Sequence, residues 1–141
     1  MANDAGDFSR SMSIATSGLR AQAGRMRVIS ENIANADSTA ATPGGDPYRR
    51  KVPTFSSELD RSLDAKTVAL GRIRPDPSAF RIKHDPGNPA ADAAGNVKYP
   101  NVNPLVEMTD MREAQRSYEA NLNIISATRR MIQRTLDILK A

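Results

Sequence analysis

The chain has 141 residues, a length for one domain, and with 39% hydrophobic residues, 4% aromatic and no Trp it cannot build a thick, aromatic-rich core. It has no Cys, which excludes disulfides and thiolate metal sites, and its net charge of +4 permits nucleic acid, a membrane surface or an acidic protein as partner without choosing among them. No stretch approaches about 18 consecutive apolar residues, and no basic segment followed by an apolar run opens the chain, so neither a membrane span nor a cleaved signal peptide is expected.

Residues 1–7 are small and polar and are expected to be mobile. A helical pattern occupies 8–37. Met12, Leu19, Met26 and Ile33 are seven apart, and Phe8, Ala15, Gln22, Ile29 and Ala36 form a companion row. Gly18 and Gly24 interrupt this helix, each costing about 1 kcal/mol relative to Ala, so packing must order it.

Residues 38–102 are expected to be a loop followed by a short β-containing segment. Pro43, Gly44, Gly45 and Pro47 make a loop or hinge. The basic string Arg49-Arg50-Lys51 reads as a solvated loop face rather than a nucleic-acid patch. Leu59 and Leu63, four apart, suggest a short helix over 56–66. Val68, Leu70 and Ile73, then Phe80 and Ile82, suggest two short strands forming a hairpin around Pro75-Asp76-Pro77. The segment 85–101 is dense in Pro, Gly, Asn and Asp and reads as a defined irregular loop.

Residues 103–141 predict a long helix of roughly 55 Å. Asn103 suits the N-cap and Pro104 the first turn. Met111, Tyr118, Ile125, Ile132 and Leu139 recur every seven positions. A row three residues ahead of each holds Met108, Gln115, Leu122, Arg129 and Leu136. Such a helix outruns any core this chain can supply and needs another long helix beside it. The expected fold is mainly α, with N- and C-terminal helices pairing as a coiled coil around a small irregular, β-hairpin middle.

Catalytic chemistry finds no support in the sequence. The one histidine, His84, precedes Asp85 without a nucleophile signature and reads as an exposed strand-end residue. No calcium-loop spacing occurs around Asp85 and Asp92, and Gly44-Gly45 lacks the Lys-Ser/Thr of a phosphate loop. No catalytic residue, metal site or cofactor is expected. The rival to a structural role is a basic helical nucleic-acid-binding module, weakened by interleaved acids and scarce aromatics. Marginal terminal helices with broken seams instead fit a subunit of an open helical array.

Ser30-Glu31-Asn32-Ile33-Ala34-Asn35-Ala36-Asp37-Ser38-Thr39 resembles the signature that closes the first helix of bacterial flagellar rod and hook axial proteins. Tyr48-Arg49-Arg50-Lys51 resembles its continuation. Asp85-Pro86-Gly87-Asn88-Pro89, Tyr99-Pro100-Asn101-Val102-Asn103-Pro104 and Tyr118-Glu119-Ala120-Asn121 resemble a proximal-rod branch of that family. The resemblance implies a non-enzymatic subunit of the basal-body rod, exported through the type III apparatus without signal cleavage and assembled as a tube in the periplasm that transmits torque. Implied partners are other copies of the chain, other rod proteins, the export apparatus and the membrane-supramembrane ring, with no nucleic acid or small-molecule substrate. The implied assembly seam is Leu19, Met26, Ile29 and Ile33 with Met111, Tyr118, Leu122, Ile125, Ile132 and Leu136. The signature residues are Asn32, Ile33, Ala34 and Asn35, with Asn32 and Asn35 hydrogen-bonding at the helix end or to a neighbouring subunit.

Overall fold

The computed structural model describes residues 2–140, with the side chains of residues 6–138 and of Lys140. Two helices bracket six short strands: α1 (Ala2–Ala34), β1 (Lys51–Val52), β2 (Phe55–Asp60), β3 (Ala65–Leu70), β4 (Arg74–Pro75), β5 (Arg81–His84), β6 (Asn96–Tyr99) and α2 (Pro104–Lys140). The strands form three antiparallel pairs, β1 with β4, β2 with β3 and β5 with β6. Helix α1 begins at Ala2, ahead of the expected Phe8, and gives way to turns after Ala34, short of Asp37. No helix of the described residues is long and apolar enough to cross a membrane.

The chain divides into two compact units, and each helix contributes a segment to both. The first unit comprises the chain up to Met26, Thr54–Arg72 and the chain from Glu113 onward. Here α1 approaches α2 at Gly18, where an added Cβ would lie 2.8 Å from Asn121 Oδ1, and approaches β3 at Gly24, 2.8 Å from Leu70 Cδ2. These two glycines cost helix propensity but let the neighbours come close. Ser17 Oγ accepts from the Val68 amide at 3.2 Å, and Arg10 Nε donates to the Leu63 carbonyl at 2.6 Å, so α1 grips both β3 and the hairpin turn.

The expected helix over 56–66 is instead the β2–β3 hairpin. Asp60 explains why: its carboxylate accepts from the amide and hydroxyl of Ser62, and Asp64 takes a positive φ of 46°. That turn reverses the chain after Asp60 and pairs it with Ala65. Leu59 and Leu63 thus fall on strand and turn. The expected hairpin around Pro75-Asp76-Pro77 is absent too, because its two strands have other partners. Val68 and Leu70 lie on β3, opposite Ser57 and Phe55, while Ile82 on β5 faces Lys98 on β6.

The second unit comprises Arg27–Pro53 and Ile73–Arg112. The segment read as wholly irregular contains β6, set by a turn in which Asp92 Oδ1 accepts from the amides of Ala94 and Asn96, each at 2.9 Å. Gly95, at φ 78°, leaves room for the His84 ring, 2.9 Å from where a Cβ would sit. Asn103 Oδ1 accepts from the Leu105 amide at 3.1 Å and caps α2, with Pro104 opening the first turn. The buried apolar residues are mostly small: Ala15, Ala21, Ala65 and Ala114 in the first unit, and Val28, Ile29, Ala36, Ala90, Val97 and Val102 in the second.

Candidate functional site

In the second unit the last turn of α1, the string Tyr48–Lys51 and the first turns of α2 meet in one polar node. Its centre is Asn32, buried on α1. Asn32 Nδ2 donates to the Lys51 carbonyl at 2.8 Å and to Glu107 Oε2 at 3.0 Å. Asn32 Oδ1 accepts from the Lys51 amide at 2.9 Å and from the Tyr48 hydroxyl at 2.8 Å. Both amide protons and both lone pairs are used, so only Asn satisfies the position. The amide side chain also pairs with both backbone groups of Lys51, as a neighbouring strand would.

Glu107 is 1% exposed and therefore needs a cation. Arg50 supplies it, donating Nε to Glu107 Oε1 at 2.6 Å, with Nη1 3.4 Å from Asp76 Oδ2 and Nη2 3.7 Å from Asp110 Oδ2. The Arg50 amide donates to Asn101 Oδ1 at 2.8 Å, and Asn101 Nδ2 donates to Ser78 Oγ at 2.8 Å. The amide and hydroxyl of Ser78, then Arg50, hold the Asp76 carboxyl below its usual range. Burial, followed by the charges of Glu31 and Glu107, pushes the Tyr48 phenol up to about 12.

The basic string is therefore an internal clamp rather than a solvated face. Arg49 donates Nη1 to the carbonyls of Asp76 and Ser78 and lies 4.1 Å from the Phe80 ring centroid. Lys51 Nζ pairs with Glu31. Of the other signature residues, Asn35 Nδ2 donates to the Glu31 carbonyl at 2.8 Å and its amide closes the α1 terminus, Ile33 is half-buried and Ala34 is exposed. His84 is exposed, its Nδ1 3.4 Å from Asn96 Oδ1.

The seam residues divide by burial. Ile29 is buried; Leu19, Met26, Ile33, Met111, Tyr118, Ile125 and Ile132 are half-buried; Leu122 and Leu136 are exposed. The inward companions of the Met111–Ile132 row come three residues after it, at Ala114, Asn121 and Thr128, not three before. Gln115 and Arg129 are exposed, while Gln22 Oε1 is buried without a hydrogen-bond partner among the described residues. Sequence reading missed Glu107 as a site residue, taking it for a helix-dipole charge. Its spacing from Met111, Ala114 and Tyr118 was the available signal, since all four share one helical face.

The node joins the end of α1 to the start of α2 through Asn32 and Glu107. A family described as flagella basal body rod protein matches residues 12–41, and one described as flagellar basal body rod FlgEFG protein C-terminal matches residues 93–138. The chain is 55% identical over 134 residues to the flagellar basal-body rod protein FlgC of Agrobacterium fabrum, across 95% of this chain and 96% of that protein. It is 39% identical over 145 residues to the protein of that name from Bacillus subtilis, across 92% and 97%. Against that of Aquifex aeolicus it is 38% identical over 136 residues, across 95% and 98%. No match supports the nucleic-acid reading, and the chain belongs to the FlgC family of flagellar basal-body rod proteins.

Proposed function

We propose that the chain is one stave of the proximal rod, a helical tube built by head-to-tail contacts of its terminal helices in the periplasm, which carries torque from rotor to hook. Family membership makes it a structural subunit of the flagellar basal-body rod. The tube reading is supported above all by α2, whose large apolar side chains Leu105, Met108, Leu122, Ile124, Met131, Leu136 and Ile138 are exposed within a single chain. Exposed apolar rows on this scale mark an interaction surface.

In this reading Leu19, Met26, Ile29 and Ile33 of α1 and Met111, Tyr118, Leu122, Ile125, Ile132 and Leu136 of α2 pack as coiled-coil seams within and between subunits. Their partners are other copies and other rod proteins. The export apparatus delivers the chain unprocessed, and the membrane-supramembrane ring surrounds the assembled tube. The test is Ile125→Asp. It is expected to abolish swimming and to leave basal bodies without this subunit; normal motility with the variant incorporated overturns the seam assignment.

A further inference from the structure

The first unit holds an open apolar groove of about 1280 Å³, lined by Phe8 and Met12 of α1, Val68 and Leu70 of β3, and Ile132 and Leu136 of α2. Its charged lining residues are Glu58, Asp60 and Arg20. On α2, Ile124, Met131 and Ile138 form a row seven residues apart, 48%, 48% and 77% exposed. This row lies about 100° around the helix from the half-buried Ile125 and Ile132. Ile138 ends it at the groove itself, whereas Ile124 and Met131 are not among the groove's lining residues.

We propose that the groove receives the Ile124–Met131 row of a second copy of this chain. The inference rests on the tube reading and names its contact. Two features choose the occupant. The row has the heptad spacing of a helix that must pack along its length. The helix around it is basic, with Arg129, Arg130, Arg134 and Lys140 against Asp137, while acids outnumber bases two to one among the groove's charged residues. Ile124 and Met131 lie outside the groove, so the contact is heterologous, and it builds an open helical assembly wherever its rotation does not close a ring. Arg134 flanks the row and is the cation placed to meet Glu58.

The absence of native Cys makes the test clean. Tagged Val68→Cys and untagged Met131→Cys chains are co-expressed, and isolated basal bodies are mildly oxidised. A mixed disulfide dimer is expected, intermolecular by construction, and it should disappear when Ser126→Cys, exposed and about 140° around α2 from Met131, replaces Met131→Cys. Absence of the mixed dimer with both chains in the rod overturns the inference and leaves the rod assignment standing. Predominant Met131–Met131 dimers, equal linkage through position 126, or linkage of position 68 only to another rod protein also overturn it. Absence of both chains from the rod overturns the rod reading itself. A charge exchange keeps the contact testable if a cysteine variant fails to fold. Arg134→Glu alone is expected to lose motility and Arg134→Glu with Glu58→Arg to regain it; no rescue by the pair counts against the contact.

Discussion

Asn32 makes four hydrogen bonds from a fully buried side chain, and each partner belongs to a segment far away in sequence. Truncation strands the Lys51 amide and carbonyl, the Tyr48 hydroxyl and one oxygen of Glu107. Unsatisfied buried groups cost about 1–3 kcal/mol each, partly recovered where water can enter. Asn32→Ala is therefore expected to lower stability by about 3 kcal/mol in urea unfolding; a loss below about 1 kcal/mol would show that the bonds are not coupled. Tyr48 has a pH signature. Its folded pKa is raised from 10.0 to about 12, so above pH 10 the unfolded chain releases a proton that the folded chain retains. Stability from this group is complete below pH 10 and is lost as pH rises toward 12. Tyr48→Phe should flatten that alkaline decline relative to the parent chain, and an unchanged slope would exclude Tyr48 as its source.

At the scale of elements, glycine and turn chemistry decide the packing. Gly24 lies under Leu70 Cδ2, so Gly24→Val must displace β3 or the leucine, whereas Gly24→Ala meets one flexible side-chain end and gains helix propensity. Gly24→Val is expected to cost about 2 kcal/mol and Gly24→Ala to be nearly neutral, by thermal melts followed at 222 nm. Equal effects of the two would mean that the close approach is not limiting. The turn at Asp76 contributes to the acid limb, its carboxyl being held below 3.8 by Ser78 and then Arg50. Its contribution is present above that value and fades as pH falls through the lowered pKa. Asp76→Asn should therefore make the acid unfolding limb shallower.

At the scale of the whole molecule, the two ends of α2 differ. Near its start Glu107 is buried in the node; from Leu122 onward most large side chains are exposed. Opening free energies follow burial and hydrogen bonding. In the isolated chain, amides around 107–114 are thus expected to exchange more slowly than those of 122–138, and the difference should shrink in assembled rods. Uniform protection along α2 would argue that the helix is complete without neighbours.

The sequence by itself determined the two terminal helices, the Asn103 cap and the family, because a helical repeat and its caps are local and the motif strings are contiguous. Strand pairing was not legible in it. Leu59 and Leu63 carried a helical spacing that the Asp60–Ser62 turn overrode, and β5 found β6 across a loop whose composition hid a strand. The role of Gly18 and Gly24 was equally hidden, since a close approach exists only once the neighbour is in place. Only tertiary structure turned Arg49-Arg50-Lys51 from a surface string into a clamp and made Glu107 a buried partner. Charge burial is a property of what surrounds a residue, and the groups around Glu107 come from α1 and the Tyr48–Lys51 string, more than fifty positions away.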